Sequence, residues 1–320
     1  MRKKINKKSQ IFIKNVIIDN GTIQIYVMEI KMRIIKDKEN ILIKDFPDFS
    51  LRQTLECGQC FHFEKIDEGE YGIVHGENLL HAKETDDEIV CYNISEEEFM
   101  EKWYEYFDFG KDYGIIKKAL IVADERLKEV IEKNNGIRIL NQHFDETLMS
   151  FIISQNKQIP HIKKIVRDIS REYGKYLGSI NGIEFYSYPE KEVIKNISEE
   201  DYKRLKTGFR AAYLRNASEM ICREDGLNGE LLRKMSYEDA KNELIKIKGV
   251  GEKVANCVLL FSLGFREAFP VDVWMKRIME EMYFGKDTKP KEIMEFAKTK
   301  FGEYGGYAQQ YLFFYAIEKK

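Results

Sequence analysis

Residues 244–276 read LIKIKGVGEKVANCVLLFSLGFREAFPVDVWMK and constrain the fold more than any other stretch of the chain. Apolar residues recur at Tyr237, Ala240, Leu244 and Ile247 behind a capping pair, Ser236 and Asp239. This pattern predicts an amphipathic helix that stops at Gly249-Val250-Gly251. The two glycines can take the positive φ angles of a tight hairpin and let another backbone come close. A second helix opens just behind them. Its free first-turn N–H groups point outward, a natural seat for a phosphate. Lys253 falls in that first turn, where the positive helix end disfavours an ammonium and favours a nucleophilic amine. Asp272 follows 19 residues later in Pro270-Val271-Asp272 and is a candidate partner for moving protons. An amine nucleophile, a carboxylate and a phosphate seat point to chemistry on a nucleotide sugar.

Composition bounds the answer without deciding it. A length of 320 residues allows one large domain or two of ordinary size. An apolar content of 43% with 12% aromatics is ample for buried cores. The net charge of −2 does not advertise nucleic-acid binding, but such binding depends on local patches rather than on the sum. One basic run exists: Lys157, Lys163, Lys164, Arg167, Arg171 and Lys175 are opposed only by Asp168 and Glu172. Five cysteines (57, 60, 91, 222 and 257) make no disulfide framework, and no apolar run approaches 18 residues. A reducing cytoplasm without membrane attachment is the expected setting. Cys57 and Cys60 form a CxxC look-alike, with neither a second pair nor a nearby ligand histidine to support zinc.

The chain divides by texture. Residues 1–31 combine a basic start with a β-like stretch in which Asn20-Gly21 is a hairpin signal. They read as an N-terminal extension of open status, with Met28 and Met32 as alternative starts. From about residue 40 to 94 come ILIKDF, CFHFEKI, YGIVHG, NLLHAKE and EIVCYNI, separated by turn residues. These spacings suit a small antiparallel sheet. Ser95 and Glu98 form a capping box, and helical texture follows to the end. The expected fold class is α+β: an antiparallel β-sheet domain with flanking helices over 32–135, then an all-α domain over 136–320.

The joint pattern around Lys253 closely resembles the helix-hairpin-helix motif with its Gly/Pro…Asp continuation, the signature of a DNA glycosylase superfamily. A proline commonly precedes the GVG there, where this chain has Lys248. The lysine is present only in the branch that also cleaves the strand. Within that superfamily the chain, over residues 40–320, is similar to the 8-oxoguanine DNA glycosylase/AP lyases. The stretch CGQCFHF (57–63) is similar to the family's S-G-Q-x-F-R-W, in which the glycine carbonyl accepts from the N7–H that 8-oxoguanine has and guanine lacks. Gly58 matches it. MSFIISQNKQI (149–159) resembles F-I-x-S-x-N-N-x-I, whose asparagine fills the gap left by the extruded base, and Asn156 matches. GFRAAY (208–213) resembles G-Y-R-A-x-Y, which places Phe209 as the wedge and Arg210 on the estranged base. GYAQQYLFF (306–314) resembles G-W-A-Q-x-x-L-F. Gln309 and Phe313 share a helix face there, suited to reading a base edge above a ring that stacks on it. Cys257, one turn beyond Lys253, matches the other pocket wall.

The resemblance implies base flipping, attack of Lys253 on C1′, a Schiff base and β-elimination, with Asp272 stabilising positive charge on the sugar. The substrate implied is double-stranded DNA carrying 8-oxoguanine or an abasic site, and the expected state is a monomer. No organic cofactor or metal is required. A monovalent or calcium ion on the hairpin carbonyls, here those of Ile245, Ile247 and Val250, is an optional family feature. The four-cysteine iron–sulfur loop of some relatives has no counterpart, since no cysteine lies beyond 257. Two departures stand out: Trp274 replaces a histidine usual after P-V-D, and His161 replaces an arginine expected near the opposite base. A glycosylase for another lesion shares the hairpin, and a non-enzymatic DNA-binding module of the hairpin type would need neither Lys253 nor Asp272.

Overall fold

A computed structural model describes residues 33–45 and 48–319, together with the backbone of two strands, β1 (Ile13–Asp19) and β2 (Thr22–Met28). These two pair antiparallel, Ile13 opposite Met28 and Asp19 opposite Thr22. The expected Asn20-Gly21 turn lies outside the described residues.

The main sheet has six strands: β3 (Arg33–Asp37), β4 (Asn40–Lys44), β5 (Phe63–Asp67), β6 (Glu70–His75), β7 (Asn78–Glu84) and β8 (Glu88–Tyr92). Their order is β3-β4-β8-β7-β6-β5, with every neighbouring pair antiparallel. Alternation sets the register. In β4, Ile41 and Ile43 point inward while their neighbours are partly exposed, the period-2 pattern of a sheet with one covered face. The inner face closes over Phe99, Trp103, Phe107 and Phe109. A short helix, α1 (Leu51–Glu56), capped by Ser50, delivers the chain to Cys57 and Gly58.

Helices α2 (Tyr113–Ala123), α3 (Leu127–Lys133), α4 (Phe144–Ser154) and α5 (Ile159–Tyr173) open the helical half. One feature departs from the all-helical expectation for this half. The hairpin of β9 (Tyr176–Ile180) and β10 (Ile183–Tyr186) follows α5, and its Ile180 and Phe185 pack on Val74 of β6. This cover explains why β6 is buried at consecutive positions instead of alternating. The chain continues through α6 (Ala211–Ile221), α7 (Tyr237–Ile245), α8 (Glu252–Ser262), α9 (Val273–Met279), α10 (Pro290–Phe301) and α11 (Gly305–Glu318). In α4 and α8 nearly every side chain is buried, as central helices require, and the two pack against each other. No helix among the described residues is long and apolar enough to cross a membrane.

The two halves are sewn together beside α1. The Gln59 side chain is fully buried; its Nε2 donates to the carbonyls of Thr54 (2.8 Å) and Arg138 (2.7 Å). Its Oε1 accepts the Leu140 N–H at 2.9 Å, and its backbone carbonyl accepts from Gln142 at 2.8 Å. A buried amide satisfied on every side fixes its segment rigidly.

Candidate active site

The hairpin between α7 and α8 forms as the spacing predicts, with one correction. Gly249 has φ +85°, and a Cβ there would lie 2.3 Å from the Tyr213 ring, so neither geometry nor space admits a side chain. Gly251 does not share the left-handed conformation: its φ is −96°, extended backbone that any residue adopts. What distinguishes Gly251 is openness, since a Cβ there would meet nothing within 4 Å. It is the N-cap of α8 and supplies no capping side chain, so the first-turn amides keep their donors for an outside acceptor. The turn is braced by Val250 N–H on the Ile247 carbonyl (3.0 Å) and Lys248 N–H on Asn216 Oδ1 (2.8 Å).

Lys253 is half-buried in the first turn of α8. Its Nζ lies 3.4 Å from Ser154 Oγ at the end of α4 and 5.2 Å from the centre of the Phe151 ring. The Ser154 hydroxyl donates to the Phe151 carbonyl at 2.8 Å, so toward the lysine it acts as an acceptor. One turn along α8, Cys257 is buried, and that burial pushes its thiol up to about 11. The wall beside the amine is therefore a neutral thiol at physiological pH. The charge of Asp272 also raises this thiol while that of Lys253 lowers it, so both charged groups lie around Cys257. Asp272 is the N-cap of α9, with Oδ1 accepting the Met275 N–H at 2.8 Å. The cap fixes the carboxylate by the helix's own backbone.

The second half of the site gathers around Gly58, at φ +79°. A Cβ on Gly58 would stand 3.0 Å from Phe313 Cε1 and 3.5 Å from Ile159 Cδ1. Gly58 and Phe313, 255 positions apart in the sequence, thus face each other directly. Among the described residues no group donates to the Gly58 carbonyl. Gln309, one turn before Phe313 on α11, is 4% exposed and its buried Oε1 has no partner. An unmet buried acceptor is costly, and this one stands ready for water or a ligand to complete it. Ser154 touches the amine and Ile159 touches Gly58, so the short turn between α4 and α5 links the two halves.

Residues 41–148 match the family model described as 8-oxoguanine DNA glycosylase, N-terminal domain. Residues 149–303 match the HhH-GPD superfamily base excision DNA repair protein model. The solved 8-oxoguanine glycosylase/lyase of Clostridium acetobutylicum, in complex with double-stranded DNA containing cytosine opposite 8-oxoguanine, is 39% identical with a TM-score of 0.85. That likeness covers 90% of this chain and 98% of the other. The N-glycosylase/DNA lyase OGG1 of Arabidopsis thaliana is 30% identical over 288 residues, 83% of this chain and 77% of the plant protein. A probable N-glycosylase/DNA lyase of Methanothermobacter thermautotrophicus is 32% identical over 228 residues, 65% and 72% of the respective chains. The chain belongs to the 8-oxoguanine DNA glycosylase/lyase family of the HhH-GPD superfamily. It is accordingly a DNA N-glycosylase with lyase activity.

In this glycosylase the residues expected near the opposite strand divide into exposed and turned-in groups. Asn156 is exposed and left-handed (φ +50°), Phe209 is 60% exposed, and His161 is exposed on the first turn of α5. Arg210 is buried instead. Its guanidinium donates to the carbonyls of Gln155, Asn156 (3.3 Å) and Thr207 (3.2 Å), and it lies 4.3 Å from the Phe209 ring centre. It anchors the turn that presents Asn156. Trp274 is half-buried, with the Arg277 guanidinium 5.3 Å from its ring.

The basic run lies at the surface, with most of its charges held in ion pairs. Lys164 pairs with Asp168, Arg167 with Glu64, Arg171 with Glu184, and Lys175 with Glu77 and Glu190. Lys163 lies over the Phe63 ring at 3.7 Å. Cys57 and Cys60 are buried, and Cys57 donates to the Thr54 carbonyl at 3.1 Å. Three residues escaped the sequence reading: Ser154 beside the amine, Gln59, and Gln310, whose Nε2 donates to the Cys57 carbonyl at 2.9 Å. The Q of CGQC and the second Q of AQQ are plain in the sequence, but nothing in a linear sequence says which backbone a buried amide will hold.

Proposed function

We propose that this enzyme removes 8-oxoguanine from duplex DNA and then cleaves the strand through a Schiff base on Lys253. The damaged nucleotide rotates out of the stack, at an unstacking cost of roughly a few kcal/mol. The base enters between Phe313 and Cys257 with its N7 edge toward the Gly58 carbonyl, and Gln309 reads its Watson–Crick edge. The open amides at Gly251 take a backbone phosphate. The Lys253 amine attacks C1′, the C1′–N9 bond breaks, and the base departs with its electron pair and takes up a proton. Opening of the sugar at O4′ turns the resulting aminal into an iminium. Loss of the C2′ proton then expels the 3′ phosphate, and hydrolysis of the imine frees the lysine. Asp272 offsets the positive charge that grows on the sugar. The observation that carries this reading is the unpartnered, buried Gln309 oxygen on the same wall as Phe313 and Gly58, joined through one short turn to an amine at Ser154. Incubation with a duplex holding a single 8-oxoguanine should release the free base and leave an unsaturated aldehyde at the 3′ end. Release of base with an intact abasic strand would contradict the lyase step.

Gly58 is the proposed reader. Its carbonyl is repelled by the N7 lone pair of guanine and bonded by the N7–H of 8-oxoguanine, a swing of roughly 1–3 kcal/mol. Gly58→Ala should reduce excision by about 10- to 100-fold, because a left-handed alanine costs about 1–2 kcal/mol and its methyl displaces Phe313. Circular dichroism should show the variant folded. Wild-type rate and selectivity in this variant would refute the reader role.

The opposite strand is read weakly. Family members with arginine at the position of His161 recognise cytosine through an asparagine and two arginines. Here one arginine is missing, and Arg210 would have to release its carbonyl partners to reach a base. Loss of one charge-assisted bond costs roughly 1.5–3 kcal/mol of preference, about ten- to a hundredfold. Single-turnover excision opposite adenine, guanine or thymine should therefore approach that opposite cytosine, and His161→Arg should restore part of the cytosine preference. A wild-type cytosine preference beyond about a hundredfold would contradict this account.

A further inference from the structure

Gln310 stands next to the base-edge glutamine on α11 but faces a different partner. It is 1% exposed, and its amide donates to the carbonyl of Cys57, itself buried, at 2.9 Å. That carbonyl belongs to the peptide joining Cys57 to Gly58. On the far side of Gly58, Gln59 is pinned through its side chain and its carbonyl. Gly58 is thus the one free pivot between two fixed neighbours. A glycine there would otherwise let its carbonyl swing through a wide range of directions. The bond from Gln310 also ties this peptide to the helix that carries Gln309 and Phe313.

We propose that Gln310 is a positioning residue for lesion selectivity: by holding the Cys57–Gly58 peptide it aims the Gly58 carbonyl in register with Gln309 and Phe313. The inference rests on the reading of Gly58 as the acceptor for N7–H. A merely structural glutamine would satisfy a buried carbonyl and contribute only to stability. A positioning glutamine sets the ratio of 8-oxoguanine to guanine excision, and leaves aside strand cleavage at a preformed abasic site, where no base is read.

The test uses full-length Gln310→Met, which keeps the side-chain length without a donor, alongside Gly58→Ala. Single-turnover excision is measured on duplexes that differ only in 8-oxoguanine or guanine, and strand cleavage is measured on a duplex with a preformed abasic site. In Gln310→Met the selectivity ratio should fall about tenfold, the worth of one buried neutral hydrogen bond, while abasic-site cleavage persists. If Gln310→Met does not fold, Gln310→Asn, which keeps the donor on a shorter arm, is read by the same ratio and should also fall below wild type. Unchanged selectivity in the Gln310 variant while Gly58→Ala loses it would overturn the role of Gln310 alone. Unchanged selectivity in Gly58→Ala would instead overturn the reader on which it rests. Equal loss of excision and abasic-site cleavage in the Gln310 variant would assign it a structural role and overturn the proposal.

Discussion

Lys253→Gln is expected to abolish both base excision and strand cleavage while binding of an 8-oxoguanine duplex persists. The amide keeps nearly the length of the lysine and can still donate to Ser154 Oγ, which lies 3.4 Å from the native amine, but it has no nucleophilic lone pair. Removing a covalent nucleophile costs on the order of 10⁴-fold or more in rate. Single-turnover excision and an electrophoretic binding assay on the same duplex separate the two effects. Residual excision within about tenfold of wild type would mean that another group or a water attacks C1′.

Asp272→Asn should reduce excision by roughly 10²- to 10³-fold, about 2.7–4 kcal/mol of transition-state stabilisation. The variant is informative because Asp272 has two jobs that asparagine separates. One oxygen caps α9 through the Met275 N–H at 2.8 Å, and asparagine caps a helix as well as aspartate does. The negative charge toward the sugar is what disappears. The melting temperature should stay close to wild type while the rate falls. A large drop in melting temperature with an intact rate would make Asp272 a structural cap only.

The sequence displays this site unevenly, for reasons the structure makes plain. Lys253, Gly249 and Asp272 are legible because each is tied to a local event: a turn, a helix start, a helix cap. Gln309 and Phe313 are legible because one helical turn puts them on one face. Gly58 facing Phe313, Gln59 bridging to Thr54, Arg138 and Leu140, and Gln310 on Cys57 are long-range pairings that no local periodicity records. The β9–β10 hairpin was hidden for the same reason, since its purpose is to cover the outer face of a distant strand. One local expectation differs from the structure. Gly251 suggested a second left-handed residue where the structure needs open space. The ion pairs of the basic run are likewise invisible locally, since four of its partners (Glu64, Glu184, Glu77 and Glu190) come from elsewhere in the chain.

Borohydride trapping on a duplex with one 8-oxoguanine tests the central claim most directly, because reduction converts a transient Schiff base into a permanent bond between protein and DNA. The account predicts a covalent complex with the wild-type enzyme, mapped by mass spectrometry of the digested adduct to Lys253, and none with Lys253→Gln. A trapped complex of equal yield from Lys253→Gln, or an adduct mapped to another residue, would contradict it.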